Sequence, residues 1–166
     1  VGYEALVRWH HPQRGVLAPA AFLDVAEAGG MLEALDWQVY EKTCQSIPQL
    51  VLPGQYVNIN VSPRHFRSGD IDVRLLALLQ LHDVSTSQIR VEVTEGTLME
   101  NPAQVADILE RLRKAGIMTA LDDFGSGYSS LGYLHRLHLH TVKIDRSFVT
   151  GLAVEGGDVA SAAVAR

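Results

Sequence analysis

Only one cysteine, Cys44, occurs among the 166 residues, so no disulfide can form within the chain. A lone thiol fits a reducing compartment, and on a helix it reads as a small buried side chain rather than a reactive group. Basic residues are also short: 14 Lys and Arg stand against 19 Asp and Glu, a formal net charge of −5. Gripping the backbone of DNA or RNA needs a basic patch or stripe, so polymeric nucleic acid is not an expected partner. A small phosphate ligand held by a few placed cations or metal ions stays compatible with this charge. No apolar run approaches the roughly 20 residues of a membrane-spanning helix, and no secretory leader opens the chain. A cytoplasmic location is expected, with any membrane anchor left to a longer parent protein. The chain opens on Val1 and closes on the helix-like run ASAAVAR, so both ends read as cut.

What is there is 47% hydrophobic and 20% charged, the composition of a globular protein with a core of its own. The length suits one domain. No repeat, low-complexity run or Pro/Gly/Ser linker divides it. Strand-like and helix-like stretches alternate, which predicts an α/β fold with a parallel sheet. Strands are expected at 2–9, 56–61, 89–94, 118–122 and 141–144. Helices are expected at 20–28, 32–47, 71–81, 103–115 and 128–137. In the fourth helix Val105, Ile108, Leu109 and Leu112 fall at i, i+3, i+4 and i+7, and Gly116 supplies the stop.

Successive strand side chains point to opposite faces. Glu4, Leu6 and Arg8 share one face of the first strand, and Asn58, Asn60 and Ser62 one face of the second. Arg90, Glu92 and Thr94 do so in the third, and Thr141, Lys143 and Asp145 in the fifth. The fourth sets Ala120 and Asp122 against Thr119 and Leu121, a weaker alternation. A parallel sheet covered on both sides would be apolar on both. One polar face predicts the inside of a barrel, with function near the strand ends; a solvent-facing sheet is the alternative.

Glu4, Glu92, Asp122 and Asp123 are the acids that could converge there. Several ionised acids cannot be buried together uncompensated, so the group shares protons, is solvated or binds metal. Hard oxygen donors with the amide of Asn60 suit Mg²⁺ or Mn²⁺ rather than zinc, and the adjacent Asp122–Asp123 pair could bridge to a second ion. Lys143 is a candidate to polarise an attacking water or offset developing charge, and equally a structural ion pair to one of these acids. Arg8 could bind a phosphate bidentately or form an interior ion pair. The run from Asp122 to Ser130 turns through Gly125 and Gly127 and by itself is a loop with a helix cap. His10, His11, His135, His138 and His140 read as surface or core residues.

Five stretches carry a resemblance. YEALVRW at 3–9, NINVSPRHF at 58–66, VEVTEG at 91–96, LDDFGSGYSSL at 121–131 and VKIDRSF at 142–148 resemble, in order, the motifs of the EAL domain family. The resemblance implies a TIM-type (β/α) barrel that hydrolyses cyclic di-GMP to the linear dinucleotide pGpG with Mg²⁺ or Mn²⁺. By position, Glu4, Asn60, Glu92 and Asp122 would hold one ion, and Asp122 and Asp123 would contribute to the second. Lys143 would assist the nucleophilic water, Arg8 and Leu6 would meet the substrate, and Glu95 would hold the Asp-Asp-Phe-Gly loop in shape. A homodimeric parent with linked sensory or cyclase domains is implied as well. His65 stands where glutamine is common in the family, and Gly96 where serine is common.

The family barrel has a strand before that of Glu4. It also has two after the last one here, carrying a further metal-binding glutamate and a functional glutamine. A closed barrel of this type runs to about 200–250 residues or more. The chain is therefore expected to be a partial, unclosed barrel of about five strands, inactive or nearly so by itself and prone to oligomerise. Retained metal-ligand positions favour the hydrolase over a catalytically silent cyclic di-GMP receptor.

Overall fold

The computed structural model describes residues 1–125 and 137–145. Five strands form one parallel sheet: β1 (Gly2–Glu4), β4 (Tyr56–Asn60), β5 (Ile89–Thr94), β6 (Met118–Phe124) and β7 (Thr141–Ile144), in that spatial order. The remaining two strands, β2 (Trp9–His11) and β3 (Gly15–Leu17), make a separate antiparallel hairpin. Helices α1 (Leu23–Ala28), α2 (Leu32–Leu50), α3 (Pro63–Ser68), α4 (Ile71–Leu81), α5 (Glu95–Glu100) and α6 (Pro102–Lys114), with 3₁₀ turns at Pro19–Ala21 and Thr86–Gln88, complete the described elements. This is the expected α/β architecture, an open half-barrel.

Local sequence explains the helix ends. Asn101 caps α6 by accepting from the Gln104 amide, Pro102 occupies the first turn, and Arg111, Arg113 and Lys114 crowd the last. Gly116 then adopts φ +90°, and a Cβ there would meet Thr86 Oγ1 at 2.9 Å. In α2 the buried residues Tyr40, Cys44 and Ile47 fall on one face, and Pro48 sits within the final turn. Burial and the Glu41 charge push the Cys44 thiol up to about 11, so it stays protonated.

Val57, Ile59 and Val61, then Ile89, Val91 and Val93, then Leu121, bury the outer face of the sheet. They pack in one core with Tyr40 and Ile47 of α2, Leu75 and Leu79 of α4 and Ile108 and Leu112 of α6. The apolar half of the expected alternation is thus the helix-covered half. The opposite face is left to polar side chains.

Several boundaries differ from expectation. The stretch 2–9 is not one strand: β1 ends at Glu4, the Ala5 amide makes a last bond to the Asn58 carbonyl, and the chain leaves for the hairpin. Gly15 at φ +70° makes that turn possible. The fourth sheet strand runs on to Phe124, and α1 begins only at Leu23, after a 3₁₀ turn at Pro19–Ala21. α3 and α5 are six-residue helices directly after strands, too short to show a period of their own. The expected helix 128–137 lies outside the described residues except for Leu137. No described helix is long and apolar enough to cross a membrane.

Candidate active site at the strand ends

Parallel pairing brings the polar residues of separate strands to one end of the sheet. Asn60, the last residue of β4, lies opposite Glu92 of β5, and Thr94 lies opposite Asp122 of β6. Glu4 closes β1 on the same face. Its Oε1 accepts from Asn60 Nδ2 at 3.0 Å. Across the sheet, Lys143 Nζ donates to Glu92 Oε2 at 2.6 Å and stands 3.7 Å from Asp122 Oδ2. Glu4, Asn60, Glu92, Asp122 and Lys143, expected from alternation to share the inward face, are therefore together.

The electrostatics follow from burial. Glu92 is 1% exposed, and desolvation lifts its carboxyl above the usual range; Lys143 opposes this while the charges of Asp122 and Glu4 add to it. Its second oxygen, Oε1, is buried without a hydrogen-bond partner among the described residues. Desolvation pulls the Lys143 ammonium down, but its bond to Glu92 and the charges of Glu92, Asp122 and Glu4 outweigh that and raise it. Lys143 is a cation at neutral pH.

Asp123 breaks the alternation. Its φ of +54° is left-handed, and the pairing of β6 with β7 shifts register between Leu121 and Phe124. The reversal lets Leu121 and Phe124 both bury while Asp123 stays exposed. Desolvation first, then the charges of Asp122 and Asp145, raise the Asp123 carboxyl, against Lys143. Asp145 thus belongs to the neighbourhood of the site. It shares the strand parity of Lys143, which is the signal for it in the sequence.

Glu95, the first residue of α5, is buried and its Oε2 accepts from the Gly125 amide at 3.2 Å. That contact ties α5 to the start of the glycine loop. Leu6 and Arg8 are not on the inward face of a strand, because β1 has already ended; they line a groove between the hairpin, α1 and α2. Arg8 donates to the Val7 carbonyl at 2.8 Å and makes no ion pair among the described residues.

Among the described residues no three His, Cys, Asp or Glu side chains form a ready metal cluster. Lys143 draws Glu92 and Asp122 to itself. The donor set nonetheless fits a hard divalent cation: carboxylates and one amide, with Glu92 Oε1 left unpartnered in the middle.

The chain matches the EAL domain family model over residues 1–165. It is 38% identical over 159 residues to cyclic di-GMP phosphodiesterase NbdA of Pseudomonas aeruginosa, covering 94% of this chain and 20% of that protein. It is 40% identical over 165 residues to the bifunctional diguanylate cyclase/cyclic di-GMP phosphodiesterase MucR of the same organism, covering 96% and 24%. The solved PaMucR phosphodiesterase in complex with c-di-GMP superposes with a TM-score of 0.86 at 35% identity, over 99% of this chain and 66% of that one. The chain spans a fifth to a quarter of these two curated relatives. With a family match along nearly its whole length and a half-barrel that superposes on a solved relative, the chain belongs to the EAL domain family.

Proposed function

We propose that this chain is the central part of a phosphodiesterase domain that hydrolyses cyclic di-GMP to pGpG, using Mg²⁺ or Mn²⁺. The observation that carries the reading is the linked row Glu4–Asn60 and Glu92–Lys143–Asp122 at the strand ends. Glu4, Asn60, Glu92 and Asp122 are the donors for one ion, and Asp122 with Asp123 for a second. Two such metal ions, when bound, would supply Lewis acidity to the phosphodiester and to a water.

The chain's own groups do the rest. Lys143, held protonated by its acids, orients a water and offsets the charge that develops on the phosphoryl oxygens; it is not a general base. Asp123, its carboxyl raised by desolvation and by Asp122 and Asp145, can take a proton from that water. Glu95 fixes the Gly125 backbone, and so the turn out of β6 directly after Asp122 and Asp123. Arg8 and Leu6 line a groove that also reaches Glu4, and from there Arg8 would offer a guanidinium to a substrate phosphate. Strands expected on either side would close the barrel over this face. The greater length of the relatives, and the cyclase named in one of them, fit a parent with linked domains.

Incubating the native polypeptide with cyclic di-GMP and Mn²⁺, and separating the products chromatographically, tests the reading. Linear pGpG is expected, lost with a chelator and reduced at least about 100-fold in Glu92→Gln. A folded protein that binds the dinucleotide and Mn²⁺ but forms no pGpG would instead be a receptor.

A further inference from the structure

Behind the site, α2 carries buried polar groups that the chemistry above does not use. Tyr40 is 1% exposed, and its hydroxyl donates to the main-chain carbonyl of Asn60 at 3.0 Å. One turn earlier, Asp36 Oδ2 receives two contacts, Ser62 Oγ at 3.1 Å and His65 Nε2 at 3.0 Å. Asp36 and Tyr40 are four residues apart and so share a face of α2. His65 is 1% exposed, with its ring 5.6 Å from both Trp37 and Tyr40. Arg74 lies 4.0 Å over the Trp37 ring and pairs with Glu33, which fixes the indole from outside.

Ser62 shows where the local preference was overridden. It precedes α3 at the N-cap, where a serine normally accepts from the helix amides, yet it makes no capping bond and turns to Asp36. Three successive points of the chain, the Asn60 carbonyl, the Ser62 hydroxyl and the His65 ring, are therefore fastened to two residues of one helix. Asn60 itself is exposed at its strand end, and among the described residues its amide bond to Glu4 alone directs the side chain inward. Packing cannot fix such a residue, and a metal ligand depends on the groups that orient it.

We propose that Asp36, Tyr40 and His65 are positioning residues that hold the 60–65 turn from behind, so that the Asn60 amide faces the ion site. This rests on the hydrolase reading, because it takes Asn60 as a ligand. In this contact His65 Nε2–H is the donor and Asp36 Oδ2, a carboxylate oxygen, accepts. A glutamine at 65 offers an N–H of similar reach, whereas leucine fills the space and offers none.

The test compares Tyr40→Phe, His65→Gln and His65→Leu in the native polypeptide, titrating Mn²⁺ by its electron spin resonance and following cyclic di-GMP hydrolysis separately. Tyr40→Phe and His65→Leu are expected to weaken Mn²⁺ binding and lower kcat about 10-fold each, with KM for the dinucleotide changed less than about twofold. His65→Gln is expected to stay near wild type. Lower melting temperatures with Mn²⁺ affinity and kcat per folded molecule unchanged would overturn the proposal. Should His65→Leu fail to fold, Tyr40→Phe, which loses one hydroxyl and keeps its ring, decides alone. A wild-type protein that binds Mn²⁺ but yields no pGpG sinks the hydrolase reading while the Mn²⁺ titration still judges the clamp. A wild type that binds no Mn²⁺ overturns both.

Discussion

Removing the Lys143 ammonium leaves the Glu92 carboxylate buried, with one oxygen already unpartnered and the other deprived of its 2.6 Å bond. Breaking such a pair from one side costs more than the pair contributes. With Lys143 about one-third exposed, the loss in Lys143→Met should be about 1–3 kcal/mol. A divalent ion can replace the missing positive charge. Thermal melting should therefore show Lys143→Met destabilised in chelator and stabilised by Mn²⁺ more than wild type is, while turnover falls at least about 100-fold. Equal Mn²⁺ shifts in both proteins would mean that the lysine and the ion do not answer the same charge. At Asp123 strain and charge can be separated, since asparagine tolerates a left-handed φ and alanine does not. Asp123→Asn should melt near wild type but lose turnover, and Asp123→Ala should also lose about 1 kcal/mol of stability. The inward placement of Glu4, Asn60, Glu92, Asp122 and Lys143 was legible because alternation of polar and apolar side chains is a local signal. The reversal at Asp123 was not, because a single left-handed residue leaves no period. Nor was the place of Arg8, since the alternation was carried past the end of β1.

Helices α4 and α6 show what no local pattern reveals. Asp72, 3% exposed on α4, accepts two bonds from Arg111 of α6, at 2.6 and 3.0 Å, and Arg111 also reaches the Gly69 carbonyl. Thirty-nine positions separate the pair. The hydrogen bond from Arg111, against the cost of burial, holds the Asp72 carboxyl below its ordinary range. A carboxyl depressed in the folded state stabilises above its unfolded pKa, about 3.9, and loses that contribution as pH falls through the folded value. Urea midpoints taken from neutral pH downward should be flat until about pH 4 and then fall. Asp72→Asn should lower the neutral plateau by about 2 kcal/mol and soften the fall below it. A mutant whose midpoint drops in parallel with wild type at every pH would show that other carboxyls set the acid limb. The helix positions themselves were legible, 71–81 to the residue and 103–115 within one, because both carry long apolar stripes. The hairpin, α3 and α5 were not, being short elements fixed by their neighbours; Pro12 and Gly15 mark a turn in the sequence, but three-residue strands on either side of it carry no alternation long enough to read.

At the scale of the molecule, the arrangement that gathers the site also exposes the sheet. β1 and β7 are its outer strands among the described residues, every residue of β1 is exposed, and Val142 and Ile144 of β7 are each 46% exposed. Outer strands of this kind present unpaired main-chain groups and apolar side chains to any other chain. The same openness leaves water in contact with groups whose electrostatic strength depends on its exclusion. The 166-residue chain purified by itself should therefore associate as its concentration rises, read by light scattering after gel filtration, and should hydrolyse cyclic di-GMP at least about 100-fold more slowly than the native polypeptide. Charge on an outer strand opposes pairing, so Val142→Lys should reduce the association of the purified chain. Association that persists in Val142→Lys at the wild-type level would place the contact elsewhere, on the apolar groove between the hairpin and α2. A monodisperse, fully active chain would show that five strands already exclude enough water for the reaction, and that the acids at their ends need no further wall.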